Sequence, residues 1–230
     1  MVIEQVKSIR RQKATYKTTS GELVPGVTTI LGLRAKPALV EWAFRVGKEN
    51  PNLNTVREYV DDLADIGTCA HYILDCYLRN VIPDFGDFSP NVVEAAQVPV
   101  SKYHEWARGK TIELISADLE MVSDRHKFGG KLDVFASIDG KRTVVDFKTG
   151  RSIYTEAVIQ VAAYAEMLKE RGEHVDEVRV LQIGRTGAEG FSERVLSDWS
   201  NHWQAFLALR ELYAIEKCID WNEKHMKEAV

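Results

Sequence analysis

Residues 128–150, FGGKLDVFASIDGKRTVVDFKTG, constrain the fold of this chain more than any other stretch. Asp139-Gly140 between two runs rich in Val, Ile and Phe is a two-residue hairpin signal, because a type I′ turn needs positive φ at both central positions. That turn pairs Ile138 with Lys141 and carries the register back to Asp133 opposite Asp146. Direct cross-strand neighbours have Cβ atoms about 4.5–5.5 Å apart. Alternation then puts Leu132, Val134, Ala136 and Ile138 on one face of a half-buried hairpin, with Thr143, Val145 and Phe147. Lys131, Asp133, Phe135 and Ser137 share the other face with Val144, Asp146 and Lys148. Like charges directly opposite each other destabilise a sheet. The pattern therefore calls for a protonated acid, a cation between the two, or a solvated face screened by Lys131 and Lys148.

The order of elements around the hairpin sets the fold class. Residues 1–25 read as irregular or lightly stranded, up to the Pro25-Gly26 turn. Pro37 suits the first turn of a helix carrying Leu39, Val40, Trp42 and Phe44, and Pro51 closes that segment. Residues 55–80 place Val56, Tyr59, Val60, Leu63, Ile66, Ala70, Ile73, Leu74 and Tyr77 at helical spacing. The stretch 81–92 is a loop rich in Pro, Gly and Asp, and 93–109 is a further helix. Strand-like alternation over 111–124 leads into the hairpin, and a helix over 155–171 ends at Gly172. Strands over 176–184 and 190–197 follow, then a long helix over about 198–226 with Trp199, Trp203, Phe206 and Leu207. Helices, then β-β-β-α-β-β, then a helix predict an α/β (α+β) domain with a mixed sheet flanked by helices. The whole chain is expected to form one domain: 1–110 mostly helical, 111–197 the sheet core, 198–230 the last helix.

Composition excludes some classes and leaves others open. No apolar run approaches the roughly 18 residues of a membrane span, and residues 1–19 lack the apolar stretch of a secretory signal. Cys69, Cys76 and Cys218 are odd in number and show no CxxC spacing. They suit a reducing, intracellular compartment and cannot supply a four-cysteine iron–sulfur cluster. The formal charge of −4 hides a basic first segment, since residues 1–50 hold nine Lys or Arg against four Glu. Lys7, Arg10, Arg11, Lys13 and Lys17 would serve as a phosphate-contacting arm or as a solvated terminus.

Two aspartate carboxylates at cross-strand distance suit a hard divalent cation such as Mg²⁺ or Mn²⁺. Lys148 lies two residues from Asp146, so its ammonium reaches the same face. A metal that lowers the pKa of a bound water, with a cation beside it to offset developing charge, is suited to phosphodiester hydrolysis. Gly130–Asp133 (G-x-L-D), Val145–Gly150 (V-D-F-K-T-G) and Gln160 with Tyr164 (Q-x-x-x-Y) together resemble the PD-(D/E)XK nuclease superfamily, in its RecB-like and phage-exonuclease branch. Gly67 with His71 (G-x-x-x-H) and the segment PGVTTIL, residues 25–31, are similar to further motifs of that branch. The resemblance runs from about residue 25 to 184 and rests on five pieces in order rather than on any one. One departure is that no proline precedes the first acid; only G-G-K-L-D is present.

The resemblance implies a restriction-endonuclease-like core and one or two Mg²⁺ or Mn²⁺ ions, with His71, Asp133, Asp146 and the Phe147 carbonyl as ligands. It implies that Lys148 positions or activates the attacking water, that Gln160 contacts the lysine or the scissile region, and that Tyr164 contacts DNA. Glu120 matches a glutamate that holds a second metal or its waters; an exposed strand acid is the alternative. Asp75 would orient the other His71 nitrogen or stand as a surface acid. Thr28, Thr29 and Thr149 offer hydroxyl and backbone groups to phosphates, while capping explains the first two as well. Trp42 and the tryptophans of the last helix would stack on bases or fill the core. The expected activity is a DNA exonuclease giving 5′-phosphate products in recombination, repair or replication, in a bacterial or phage-encoded setting. Its partners would be DNA with a free end and a recombination or single-strand-binding protein. A structure-specific endonuclease and a non-cutting DNA-binding module of the same fold remain the alternatives, and oligomeric state is open.

Overall fold

The computed structural model describes residues 14–34, 37–50 and 55–228, so Lys7, Arg10, Arg11 and Lys13 of the basic arm lie outside it. A five-stranded mixed sheet, order β3-β4-β5-β6-β7, forms the centre. Its strands are Ile112–Ser123, Phe128–Ile138, Lys141–Lys148, Glu177–Ile183 and Phe191–Leu196. Only β5 and β6 are parallel, and the helix between them, α5 (Thr155–Glu170), makes the crossover that parallel pairing requires. A two-stranded ribbon, β1 (Tyr16–Lys17) with β2 (Leu23–Val24), precedes the short α1 (Val27–Leu31).

Both faces of the sheet are covered, which corrects the half-buried hairpin expected from alternation alone. Helices α3 (Val56–Leu78) and α4 (Pro90–Ala107) bury Val134, Ala136, Ile138, Val145 and Phe147 on one face. On the other, α1, α5 and α6 (Ser200–Glu228) cover Leu132, Phe135 and Val144. Phe135 and Val144, assigned by the pattern to the charged face, are core residues. Leu132 packs with them rather than with Val134, because the pairing of β3 and β4 skips Asp118 and Asp133, and Asp118 has a φ of 51°. The register is the same on either side of these two residues, and the shift in this pairing falls between Leu114 and Ser116.

Most helix ends follow their signals. The Asp139-Gly140 turn has φ of 51° and 83°, as type I′ geometry demands. Gly172, at φ 84°, follows the last turn of α5, where a side chain would be strained. Helix α4 starts three residues earlier than expected, since Ser89 caps it through Val92 N and Pro90 occupies its first position. In helix α2 (Pro37–Glu49) Leu39, Val40 and Phe44 are largely exposed, while Val46 is buried. Among the described residues, no helix is long and apolar enough to cross a membrane, and Cys69, Cys76 and Cys218 are free thiols.

Candidate active site

The hairpin register holds from Ile138–Lys141 back to Val134–Val145 and stops there. Asp133 and Asp146, expected as a ladder pair, lie one step beyond it. Asp133 instead turns its Oδ2 onto the backbone N–H of Phe147, accepting a hydrogen bond of 2.8 Å. Its Oδ1 faces His71 Nδ1 of α3 at 3.4 Å. Asp146 is buried, and the ammonium of Lys148 pairs with its Oδ2 at 2.7 Å. Apart from that ion pair, Asp146 Oδ2 has no polar partner among the described residues. Lys148 donates to Gln160 Oε1 at 3.0 Å, and Gln160 Nε2 donates to the Tyr164 hydroxyl at 2.8 Å. A chain of polar contacts therefore runs from the core through α5 to the end of β5.

Two glycines set these distances. A Cβ on Gly67 would stand 2.7 Å from Thr149 Oγ1, so α3 touches the end of β5 here and brings His71, one turn later, over Asp133. A Cβ on Gly130 would stand 2.6 Å from Tyr164 Cε1, so the bare backbone of the G-x-L-D motif accommodates the Tyr164 ring. Tyr164 is buried and presents no surface to a nucleic acid, contrary to the contact expected of it. The His71 ring meets Phe147 edge-on at 5.8 Å between centroids.

Charges in the site are strongly biased. Burial pushes the Asp146 carboxyl up to about 6, against the attraction of Lys148 and helped by the charge on Asp133. Burial would raise Asp133 as well, but His71, Lys148 and the Phe147 N–H outweigh it and hold that carboxyl below its usual range. For Lys148, burial lowers the pKa while Asp146 and Asp133 raise it, and the carboxylates win. His71 likewise ends above its ordinary value, because Asp133 overcomes burial. The native state therefore binds an extra proton at Asp146 between about pH 4 and pH 6, and that group's contribution to stability falls as pH rises through this window. Asp146→Asn is expected to stabilise the metal-free protein at pH 8 by on the order of 2 kcal/mol, with the difference gone below about pH 4. Thermal unfolding in EDTA checks this; a wild type that is the more stable at pH 8 contradicts the buried, proton-seeking carboxyl.

The site opens into a cleft of about 2640 Å³ at the carboxyl end of β5, where open α/β sheets usually bind ligands. His71, Asp133, Lys148, Thr149 and Gln160 line it. Thr28 lines it too, exposed in the first turn of α1; Thr29 is exposed beside it, and neither caps the helix, whose N-cap is Gly26. Glu120 lines the cleft as an exposed strand residue opposite Lys131, with no contact to either aspartate. Asp75 is partly buried, lines the cleft and pairs with Arg79 at 2.7 Å. Trp199 is buried and Trp203 packs against the core, whereas Trp42 borders the cleft. Asp118, Arg151 and Arg185 also line the cleft and were missed by the motif reading. Asp118 could have been noticed as the acid two residues before Glu120, but the two arginines carry no local signal.

Mg²⁺ and Mn²⁺ take oxygen ligands, and a buried Asp146 carboxylate beside a second carboxylate and an imidazole fits such an ion. Against this, no group of three or more His, Cys, Asp or Glu among the described residues already stands in ligand geometry. Lys148 sits on Asp146, and Asp133 is engaged with His71.

No family model matches the chain, and no curated protein matches it. Among solved structures, it is similar to the protein SSO0001, 13% identical with a TM-score of 0.35, over 65% of this chain and 72% of that one. It is also similar to a protein of Eubacterium rectale named "Putative exonuclease", 14% identical with a TM-score of 0.40, over 64% of each chain. The chain thus spans just under two thirds of the second structure's length. At these scores neither likeness assigns an activity.

Proposed function

We propose that this cleft is the active centre of a divalent-metal-dependent DNA nuclease, with exonucleolytic release of 5′-phosphate products in DNA recombination, repair or replication. The observation that carries the reading is the buried Asp146 carboxyl, pushed up by burial and by the neighbouring Asp133, and paired with Lys148 at the edge of an open cleft. An acid pair in that position is a burden to a merely structural sheet, and becomes useful when a cation and a phosphate arrive. The sequence resemblance points the same way, and also extends the ligand set to His71 and the Phe147 carbonyl.

Asp133 and Asp146 would hold the ion, together with those two groups. When bound, a divalent ion lowers the pKa of a coordinated water and neutralises charge on the scissile phosphate. The chain's own residues do the rest. The Phe147 N–H fixes the Asp133 carboxylate, so its orientation does not depend on His71 alone. Lys148, held protonated by the two acids, orients a water or stabilises charge on the phosphate rather than taking a proton. Gln160 fixes the ammonium, and Tyr164 holds Gln160 from the core.

Lys148→Ala is expected to lower DNA cleavage in Mg²⁺ or Mn²⁺ by about 10²–10³-fold, the usual loss for one charge-stabilising donor. Single-turnover assays alongside circular dichroism decide it, and a folded variant cutting at the wild-type rate overturns the assignment. Tyr164→Phe should cost about tenfold in rate with metal affinity unchanged, because Gln160 loses its acceptor while the acids keep their places. Altered metal affinity in that variant contradicts the chain of contacts.

A further inference from the structure

Resting on the nuclease reading, we propose that the strand this cleft takes is unpaired: single-stranded DNA, held more by stacking on aromatic rings than by neutralisation of phosphates. One face of α3, including Tyr59, Leu63, Gly67 and His71, lines the cleft, and Tyr59 lies about 18 Å along the helix from His71. Trp42 of α2 borders the cleft beside Tyr59, ring centroids 6.2 Å apart and tilted by 40°, and both residues are half-buried. Tyr154 lies at the start of α5, the helix whose Gln160 grips Lys148, and is 58% exposed. Ring surface is thus offered both along the α2–α3 wall and beside α5. Stacking of this kind is how single strands are bound without regard to sequence, because every base has a π-face that a duplex conceals.

The charge of the cleft's described lining adds little in favour of a duplex. A duplex site typically neutralises several phosphates, about 6–10 in well-studied cases. The lining holds five Lys or Arg against eight Asp or Glu among the described residues. Three of the five cations already face a carboxylate: Lys131 with Asp118 at 2.5 Å, Lys148 with Asp146 at 2.7 Å, and Arg185 with Glu189 at 3.0 Å. Arg45 and Arg151 are left without an acidic partner among the described residues. Among the described lining residues, phosphate contact is thus left mainly to Arg45, Arg151 and Lys148, and the rings of Trp42, Tyr59 and Tyr154 carry the case for a single strand.

The test is binding of the wild-type protein to an end-labelled oligonucleotide in EDTA, single-stranded or annealed to its complement, followed by fluorescence anisotropy from 50 to 200 mM salt. The single strand is expected to bind at least tenfold tighter than the duplex. Its affinity should fall less steeply with salt across that range than the duplex's, because stacking on rings releases no counterions. Tyr154→Ala, a change at an exposed ring, and Trp42→Ala should each weaken single-strand binding by at least fivefold, while Trp42→Phe retains it. Duplex binding equal to or tighter than single-strand binding overturns the inference, as does undiminished affinity in both alanine variants. Because no metal or cleavage is involved, a metal-dependent nuclease that prefers duplex defeats this inference alone. Tight single-strand binding without cleavage in any metal defeats the nuclease reading alone.

Discussion

Asp133→Asn is expected to abolish metal-dependent cleavage, by on the order of 10³-fold, in a protein that stays folded. The asparagine carbonyl can still accept the Phe147 N–H, so the local turn of β4 onto β5 survives. What disappears is the charge. His71 loses the carboxylate that holds its pKa up, and Asp146 loses the neighbour that helps push its own pKa towards 6. The variant should therefore ionise Asp146 more readily and yet bind Mn²⁺ at least about 10²-fold more weakly, since a hard cation needs anionic oxygen and the pair supplies it. Calorimetric titration with Mn²⁺ and single-turnover cleavage, measured on the same preparation, separate the two effects. Wild-type Mn²⁺ affinity in a folded variant would remove Asp133 from the proposed ligand set.

Gly67→Val should be nearly as damaging, and for a purely geometric reason. The helix touches Thr149 through this bare position, and an added Cβ alone would stand 2.7 Å from Thr149 Oγ1. The branched side chain must push α3 away from the end of β5 or displace Thr149, at about 1–3 kcal/mol in stability. A displacement near 1 Å at His71 would cost about 10²-fold in rate. Thr149→Ala removes the atom that clashes, so the double variant should recover much of both losses, whereas independent sites would simply add. A double variant no better than Gly67→Val would mean that the glycine serves some purpose other than close approach.

Much of this was legible in the sequence, and the failures have identifiable causes. The Asp-Gly turn fixed the hairpin register from Ile138 to Val134, and the order of strands and helices emerged because each element is long and bounded by Gly or Pro. The same pattern could not reveal that helices cover both faces, since a run such as Val-Val-Asp-Phe-Lys reads alike on a half-buried and a fully buried strand. Nor could it show that the ladder ends before the two acids, because that depends on the turned backbone at Asp118 and on a side chain bonding to a neighbouring strand. Spacing placed Gln160 and Tyr164 on one face of α5, but only packing under Gly130 shows that the tyrosine looks inward. For α2 the sequence placed the helix from Pro37 but carried no sign that Leu39, Val40 and Phe44 would stand mostly exposed.

The most direct test of the central claim is degradation of linear DNA, labelled at the 5′ or the 3′ end, with Mg²⁺, Mn²⁺ or EDTA, and with a closed circle as control. Metal-dependent loss of the linear strands, with 5′-phosphate products and the circle spared, is the expected result. Linear DNA bound by the protein but left intact under every metal condition would contradict it.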